Sequence, residues 1–174
     1  EPRFYAHIAA DRCYYQLGKK NVLVEAYRGE RFGTRETSIT NSVPQNLTGY
    51  WLKKGSDSEV SNVGYNNAFM TDYPCVLIRL ADLYLMKAEA WNEYLAVPDE
   101  EHVYAPLNEV RRRAGIPDVK EAWKTYAKNP GKVATKEGMR EIIHREWDIE
   151  FAFEGRRFWN LRRWLTAVDE LNEE

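Results

Sequence analysis

The sequence predicts a mainly α fold of paired helices behind an irregular, loop-rich N-terminal third. Three observations carry this. From residue 74 onward, apolar side chains recur at i+3, i+4 and i+7 in long blocks separated by Gly and Pro, the mark of amphipathic helices. Residues 28–46 and 55–67 carry Gly, Ser, Thr, Asn and Pro without a period, so no regular face exists there to bury. Finally, residues 146–164, EWDIEFAFEGRRFWNLRRW, set an acidic helix against an arginine-aromatic one across a glycine.

Composition narrows the class. With 174 residues, 44% hydrophobic and 30% charged, the chain suffices for one core and is not of disordered type. A net charge of -2 gives no general attraction to nucleic acid or an acidic membrane. No stretch approaches the ~20 apolar residues of a membrane helix. Cys13 and Cys75 suit either a disulfide or two buried thiols, and sequence does not decide between them.

In chain order, residues 1–20 open with a turn at Pro2 that leads into packed structure. Residues 21–27 (N-V-L-V-E-A-Y) are β-branched enough for a short strand. In residues 48–54, Tyr50 and Leu52 alternate with Trp51 and Lys53, the period of an extended, half-buried segment. Residues 55–67 read as an exposed loop, with Tyr65 and Phe69 its notable aromatics.

Tyr73-Pro74 marks the start of the first long helix, with Thr71 or Asp72 as cap and Pro74 in the first turn. Leu77, Leu80, Ala81, Tyr84, Ala88, Trp91 and Leu95 form its inward face, and small Ala81, Ala88 and Ala90 admit a close neighbour. Val97-Pro98 breaks it. Residues 99–114 form the partner, with Val103, Leu107, Val110 and Ala114 inward, closed by Gly115 as C′ glycine, Ile116 and Pro117. Helix, short loop and antiparallel helix of this size make one tetratricopeptide-like unit. A short helix follows at 121–128, then a turn at Asn129-Pro130-Gly131. Thr135 caps a long helix running through Glu154, with Glu137 in its first turn. Gly155 ends that helix, and residues 156–171 form the last one.

Several of these stretches resemble the SusD/RagB family of outer-membrane nutrient-binding lipoproteins of Bacteroidetes. I-R-L-A-D-L-Y-L-M-K-A-E-A at 78–90 is the most specific match, to I-R-[LY]-A-D-[VL]-x-L-M-x-A-E-A. L-N-E-V-R-R-R-A-G at 107–115 resembles [IL]-N-x-V-R-x-R-A-G. Glu146, Glu150, Phe151, Glu154, Gly155, Arg157, Leu161, Arg163 and Trp164 fall on E-x-x-x-E-L-x-x-E-G-x-R-x-x-D-L-x-R-W. Phe151 stands there for the usual Leu, and Asn160 for the usual Asp, which removes a charge that a salt bridge would need. E-P-R-F-Y at the start and Gly49-Tyr50 with Lys54 resemble shorter family pieces, and the first implies a loop edge of the ligand pocket as the alternative to a plain turn. The likeness covers residues 74–164 densely and 1–73 in scattered fragments.

The resemblance implies a SusD-like fold over 1–174, read as a C-terminal portion with a loop-rich segment 1–73 and a helical part 74–171. Both ends look cut, as expected for part of a longer protein whose lipid-bearing Cys lies elsewhere. It implies a surface-exposed outer-membrane lipoprotein, held to the membrane only by that anchor. Its ligand would be a nutrient, foremost a glycan, passed to a SusC-like TonB-dependent transporter, with part of the pocket upstream of residue 1. A helical-repeat scaffold that binds protein and a glycoside hydrolase are the alternatives.

The candidate residues follow. Sugars offer C–H faces to aromatic rings and hydroxyls to polar neighbours, which points to Trp51 and Tyr65, then Tyr50 and Tyr27. Packing against the helices is the plainer role for each. Over residues 140–164 six arginines meet five acidic residues, a balance typical of structural ion pairs. Glu146, Glu150 and Glu154, four residues apart, form one stripe expected to pair with Arg79, Arg111, Arg113 or Arg157. A hydrolase would instead show a carboxylate couple free of arginine. His7, His102 and His144 have no metal-ligand spacing, and His144 with Asp148 at i+4 reads as a surface helix contact. No metal, cofactor or catalytic residue is expected. Arg111-Arg112-Arg113 spans most of a helical turn, so it offers no continuous face to nucleic acid.

Overall fold

The computed structural model describes residues 1–17, 20–33, 48–56, 61–62, 68–69 and 75–172. The chain divides between Cys75 and Val76 into two units, Arg3–Cys75 and Val76–Glu174. Tyr65, Thr71, Asp72, Tyr73 and Pro74 lie outside the described residues, and so do the features expected of them.

The first unit is built of short pieces. Pro2–His7 form α1, entered through Pro2, whose fixed φ suits a first turn. Ile8–Ala9 (β1) then pairs antiparallel with Trp51–Leu52 (β4), Ala9 opposite Trp51. Between them Tyr14–Leu17 (β2) and Lys20–Leu23 (β3) make a hairpin, so the strand expected at 21–27 is shorter and has a partner on its N-terminal side. Ser61–Asn62 (β5) pairs with Ala68–Phe69 (β6). Buried Ala9 and Val24 anchor this unit. Cys13 and Cys75 are free thiols.

The second unit is helical: α2 (Leu80–Tyr94), α3 (Ala105–Arg113), α4 (Val119–Tyr126), α5 (Lys136–Glu150), α6 (Arg156–Trp164) and α7 (Ala167–Leu171). Helix α2 packs on both α3 and α5. Their shared core takes Ala81, Leu85 and Ala88 from α2, Val103, Leu107 and Val110 from the α3 side, and Met139, Ile143 and Trp147 from α5. Leu85, Leu107, Met139 and Ile143 are fully buried, each contributing ~1.5–3 kcal/mol.

Polar ties set the register of the pieces. Asn92 donates to the Lys136 carbonyl at 3.0 Å, and the Val119 N–H donates to Asn108 Oδ1 at 2.8 Å. Thr135 caps α5 by accepting from the Gly138 N–H. Gly115, at φ 70°, closes α3 as expected: its N–H and that of Ile116 reach back to the carbonyls of Arg112 and Arg111.

Five boundaries differ from expectation. Residues 75–79 are not helical, and α2 starts only at Leu80, because the Arg79 N–H is taken by the Asp82 carboxylate in a capping bond of 2.8 Å. Leu77 thus precedes the helix and Leu80 lies about 100° round it from buried Ala81, so both point outward, 77% and 62% exposed. The partner helix opens with a π-helical turn, Glu100–Tyr104, before α3. Asn129-Pro130-Gly131 runs into a 3-10 turn, Pro130–Ala134. Helix α5 ends at Glu150 rather than Glu154, and Gly155, in a left-handed conformation, precedes α6 instead of ending α5. Leu165, at φ 61°, breaks the last helix into α6 and α7.

Candidate functional site

In the first unit the β1–β4 pairing brings the chain after α1 beside Tyr50. Phe4 stacks edge-on to Tyr5 at 5.3 Å and to Tyr50 at 6.3 Å. All three rings are open to solvent: Phe4 38%, Tyr5 59% and Tyr50 55% exposed. The backbone beneath them is fixed by Lys53. Its N–H donates to the His7 carbonyl, and its ammonium donates to the Tyr5 and Tyr14 carbonyls at 2.8 and 3.2 Å. The Tyr50 N–H donates to Thr48 Oγ1, turning the segment into β4. The arrangement is a solvent-exposed cluster of three edge-on aromatic rings over a hydrogen-bonded backbone.

The predicted residues separate. Trp51, next to Tyr50 on an extended segment, points the other way. It is half-buried and meets Phe32 edge-on at 5.9 Å. Tyr27 is exposed, with the Arg12 guanidinium 5.3 Å from its ring centre, and Arg12 in turn bonds Glu30. Thus Tyr50 joins a cluster, whereas Trp51 and Tyr27 each sit with other partners. Phe4 and Tyr5 escaped sequence reasoning. Their signal was two adjacent aromatics following Pro2, but their meeting with Tyr50 depends on a pairing 44 residues away in sequence (Ile8 to Leu52).

In the second unit the acidic stripe is drawn inward by arginines. Arg79 bonds Glu150 at 2.7 Å and Glu154 at 2.7 and 2.8 Å, and donates also to the Glu150 carbonyl at 3.0 Å. Its guanidinium stacks over Phe151 at 4.1 Å. Burial works against the Arg79 charge, but the bonds to Glu154 and Glu150 outweigh it and hold the guanidinium above its usual value. Arg113 also reaches Glu150. Arg111 bonds Glu146 at 2.8 Å and the Pro117 carbonyl at 2.9 Å. Arg112 turns outward to Glu109, so the three successive arginines serve three different carboxylates.

Arg157 departs from expectation. It bridges Asp148, at 2.6 Å, and Glu170 instead of the Glu146–Glu150–Glu154 stripe. The reason is helical phase: Arg156, one position earlier on α6, faces α2, lying 3.2 Å from Asp82 Oδ1 and bonding the Leu77 carbonyl. Its neighbour is turned about 100° away by the 3.6-residue period. Asn160, where the family motif has Asp, is buried and accepts from Arg163 at 2.9 Å.

A second cluster surrounds Glu89. Arg163 grips it with both terminal nitrogens, and the Trp164 indole N–H donates at 2.8 Å. His144 stacks on Trp164 at 3.6 Å, its Nε2 3.9 Å from Glu89. Burial lowers the His144 pKa; Glu89 opposes this, while Arg163 and Arg140 add to it. His144 and Asp148 do not act as a pair, because Asp148 is engaged by Arg157. Among the described residues no group of three or more His, Cys, Asp or Glu could hold a metal ion.

Comparison with known proteins gives concordant results. The SusD family model matches residues 1–174. Among solved structures, the chain is similar to a SusD-like protein from Bacteroides fragilis NCTC 9343, with 29% identity and a TM-score of 0.66. That match covers 97% of this chain and 29% of the solved one, so this chain spans under a third of that relative's length. No curated protein matches. A family match over all 174 residues, joined to a mainly α fold shared with a solved SusD-like protein, shows that the chain belongs to the SusD family.

Proposed function

We propose that the chain takes part in reversible capture of a nutrient, foremost a glycan, at the outer-membrane surface, for delivery to a SusC-like TonB-dependent transporter. The observation that carries this reading is the exposed Phe4–Tyr5–Tyr50 surface of a SusD-family chain. Exposed aromatic rings offer faces on which the C–H side of a sugar can stack. Neither a cofactor nor a catalytic residue enters this scheme. Glu146 and Glu150 of α5 and Glu154 just beyond it act as structure: each is paired with arginine and so is ill-suited to accept or donate a substrate proton. No described helix is long and apolar enough to cross a membrane, so attachment would rest on a lipid anchor outside these residues.

The chain by itself would bind weakly. It spans 29% of the solved relative, and each hydrogen bond to a sugar nets only ~0.5–1.5 kcal/mol against water. Titration with a panel of oligosaccharides, followed by heat and tryptophan fluorescence, should give a Kd no tighter than about 1 mM, some -4 kcal/mol. Tyr50→Ala should abolish that binding. Failure of every glycan while peptides bind would favour the protein scaffold, and hydrolysis products would favour the hydrolase.

A further inference from the structure

Helix α2 is apolar on two sides. Ala81, Leu85 and Ala88 face the core, whereas Leu80, Leu83 and Tyr94 stand 62%, 55% and 79% exposed, with Met86 and Ala90 exposed beside them. Leu80, Leu83, Lys87, Ala90 and Tyr94 follow one another at spacings of three, four, three and four residues. They therefore form one stripe along about 21 Å of helix. That is the pattern of a helix–helix seam, and a helix apolar all round is one that its surroundings cover. Near the C-terminal end of the stripe, Ala90, Trp91 and Tyr94 line a notch of about 280 Å³, a hole of the kind that receives a side chain from a facing helix. Trp91 meets His102 there, with ring centres 4.0 Å apart. Lys87 is the one charge in the stripe, exposed and without a carboxylate partner among the described residues.

We propose that this stripe is the docking seam for an amphipathic helix of the same polypeptide lying outside residues 1–174, with an acidic residue opposite Lys87. Apolar side chains at three- and four-residue spacing on that helix cover Leu80, Leu83 and Tyr94, and a bulky one fills the notch at Ala90. A lone charge in such a seam fixes register, because one alignment alone gives it a counter-charge. Three observations select this occupant. A second copy in full overlap sets Lys87 against Lys87, since a two-fold axis repeats the same patch on both partners. Residues 28–46 and 55–67 lack the apolar period of such a helix, so they do not supply it. The match to the solved SusD-like protein leaves most of that protein's chain outside it, length enough for further helices. A tethered helix also needs little affinity of its own, because the tether holds it at high effective concentration.

The test is maleimide labelling of the full-length protein, native and unfolded in urea, read site by site by peptide mass. Leu83→Cys and, in parallel, Met86→Cys should label about tenfold or more slowly in the native protein, as a covered surface that opens only locally predicts. The two variants are independent, so a folding defect in one leaves the other to be read. The slowing should be the same at nanomolar and micromolar protein concentration. Lys87→Glu, combined with Leu83→Cys, should speed native labelling about tenfold over Lys87→Gln, as like charges facing each other predict. The inference is overturned if both cysteines label natively at nearly the unfolded rate, or if Lys87→Glu and Lys87→Gln label alike. It is overturned too if protection appears only at micromolar concentration or only with another protein added, since either marks an occupant from a separate chain. Glycan binding does not enter the readout, so the outcome is independent of the nutrient-capture reading.

Discussion

In the helical unit Arg79 and Arg111 turn inward onto carboxylates, whereas in the N-terminal unit aromatic rings turn outward into water. Arg79, Arg111 and Arg113 reach Glu146, Glu150 and Glu154 over a core of Leu85, Leu107 and Ile143. Phe4 and Tyr5 on α1, Tyr14 on β2, and Tyr27 and Tyr50 outside the strands instead stand exposed. Charges that a folding chain would normally leave in water are spent on holding helices. Rings that it would normally bury are left exposed. The helices of the second unit are held by buried ion pairs, whereas the first unit leaves large rings exposed.

Substitutions can break or sharpen that contrast. The largest effect is expected from Arg79→Ala, which removes three carboxylate bonds from Glu150 and Glu154, the former 1% exposed. Losing one partner of a buried pair costs ~3–5 kcal/mol, and Arg113, still on Glu150, keeps the loss near ~3. Thermal unfolding should show a fall on the order of 10 °C. A melting temperature equal to the parent's would mean the clamp holds nothing.

Ala88→Leu comes next. Ala88 is fully buried, so added methylenes overpack the core and cost ~1–3 kcal/mol, measurable by denaturant titration. An unchanged midpoint would contradict a close-packed α2.

His144 should give a smaller, pH-dependent effect. Its folded pKa lies below the ordinary 6.5, with burial the main cause. Its contribution is therefore present above about pH 6.5 and is lost as pH falls through the folded value. The groups facing it are Glu89 and Glu93, which favour its charge, and Arg163 and Arg140, which oppose it. Glu93, held low by its Arg140 bond, titrates below 4.5 and so leaves the window separate. Melting followed from pH 7.5 to 5 should show a decline that His144→Gln removes. A flat profile in the parent would refute the linkage.

Arg157→Ala sharpens the comparison by its mildness. Its side chain is 51% exposed in both its pairs, so the loss should be only ~0–1 kcal/mol. A drop matching that of Arg79→Ala would show that inward and outward arginines are equivalent. Smallest is Tyr50→Ala, within ~0.5 kcal/mol by thermal melting, since a 55%-exposed ring has little to lose. A large destabilisation would make that surface part of a core.

Local chemistry made much of this legible. The helical blocks of 80–113 and 136–150, the C′ role of Gly115, the Thr135 cap and the acidic stripe all follow from spacing and side-chain type. Each depends on neighbours within about one turn of helix, which sequence displays directly. What went unread depends on distance. Leu77 and Leu80 lie outside because Leu77 precedes α2 and Leu80 sits about 100° round it from Ala81, the face that α3 and α5 cover. Arg157 serves Asp148 and Glu170 because the turn at 151–155 rotates α6, and no periodicity encodes that rotation. Phe4 and Tyr5 meet Tyr50 only through strand pairing, so the aromatic surface exists once backbone hydrogen bonds have closed a long loop. Sequence determined which segments are helical and which side chains carry charge or rings. Tertiary structure decided which charges are buried and which rings stay exposed, because burial is set by what the far end of the chain brings against each face.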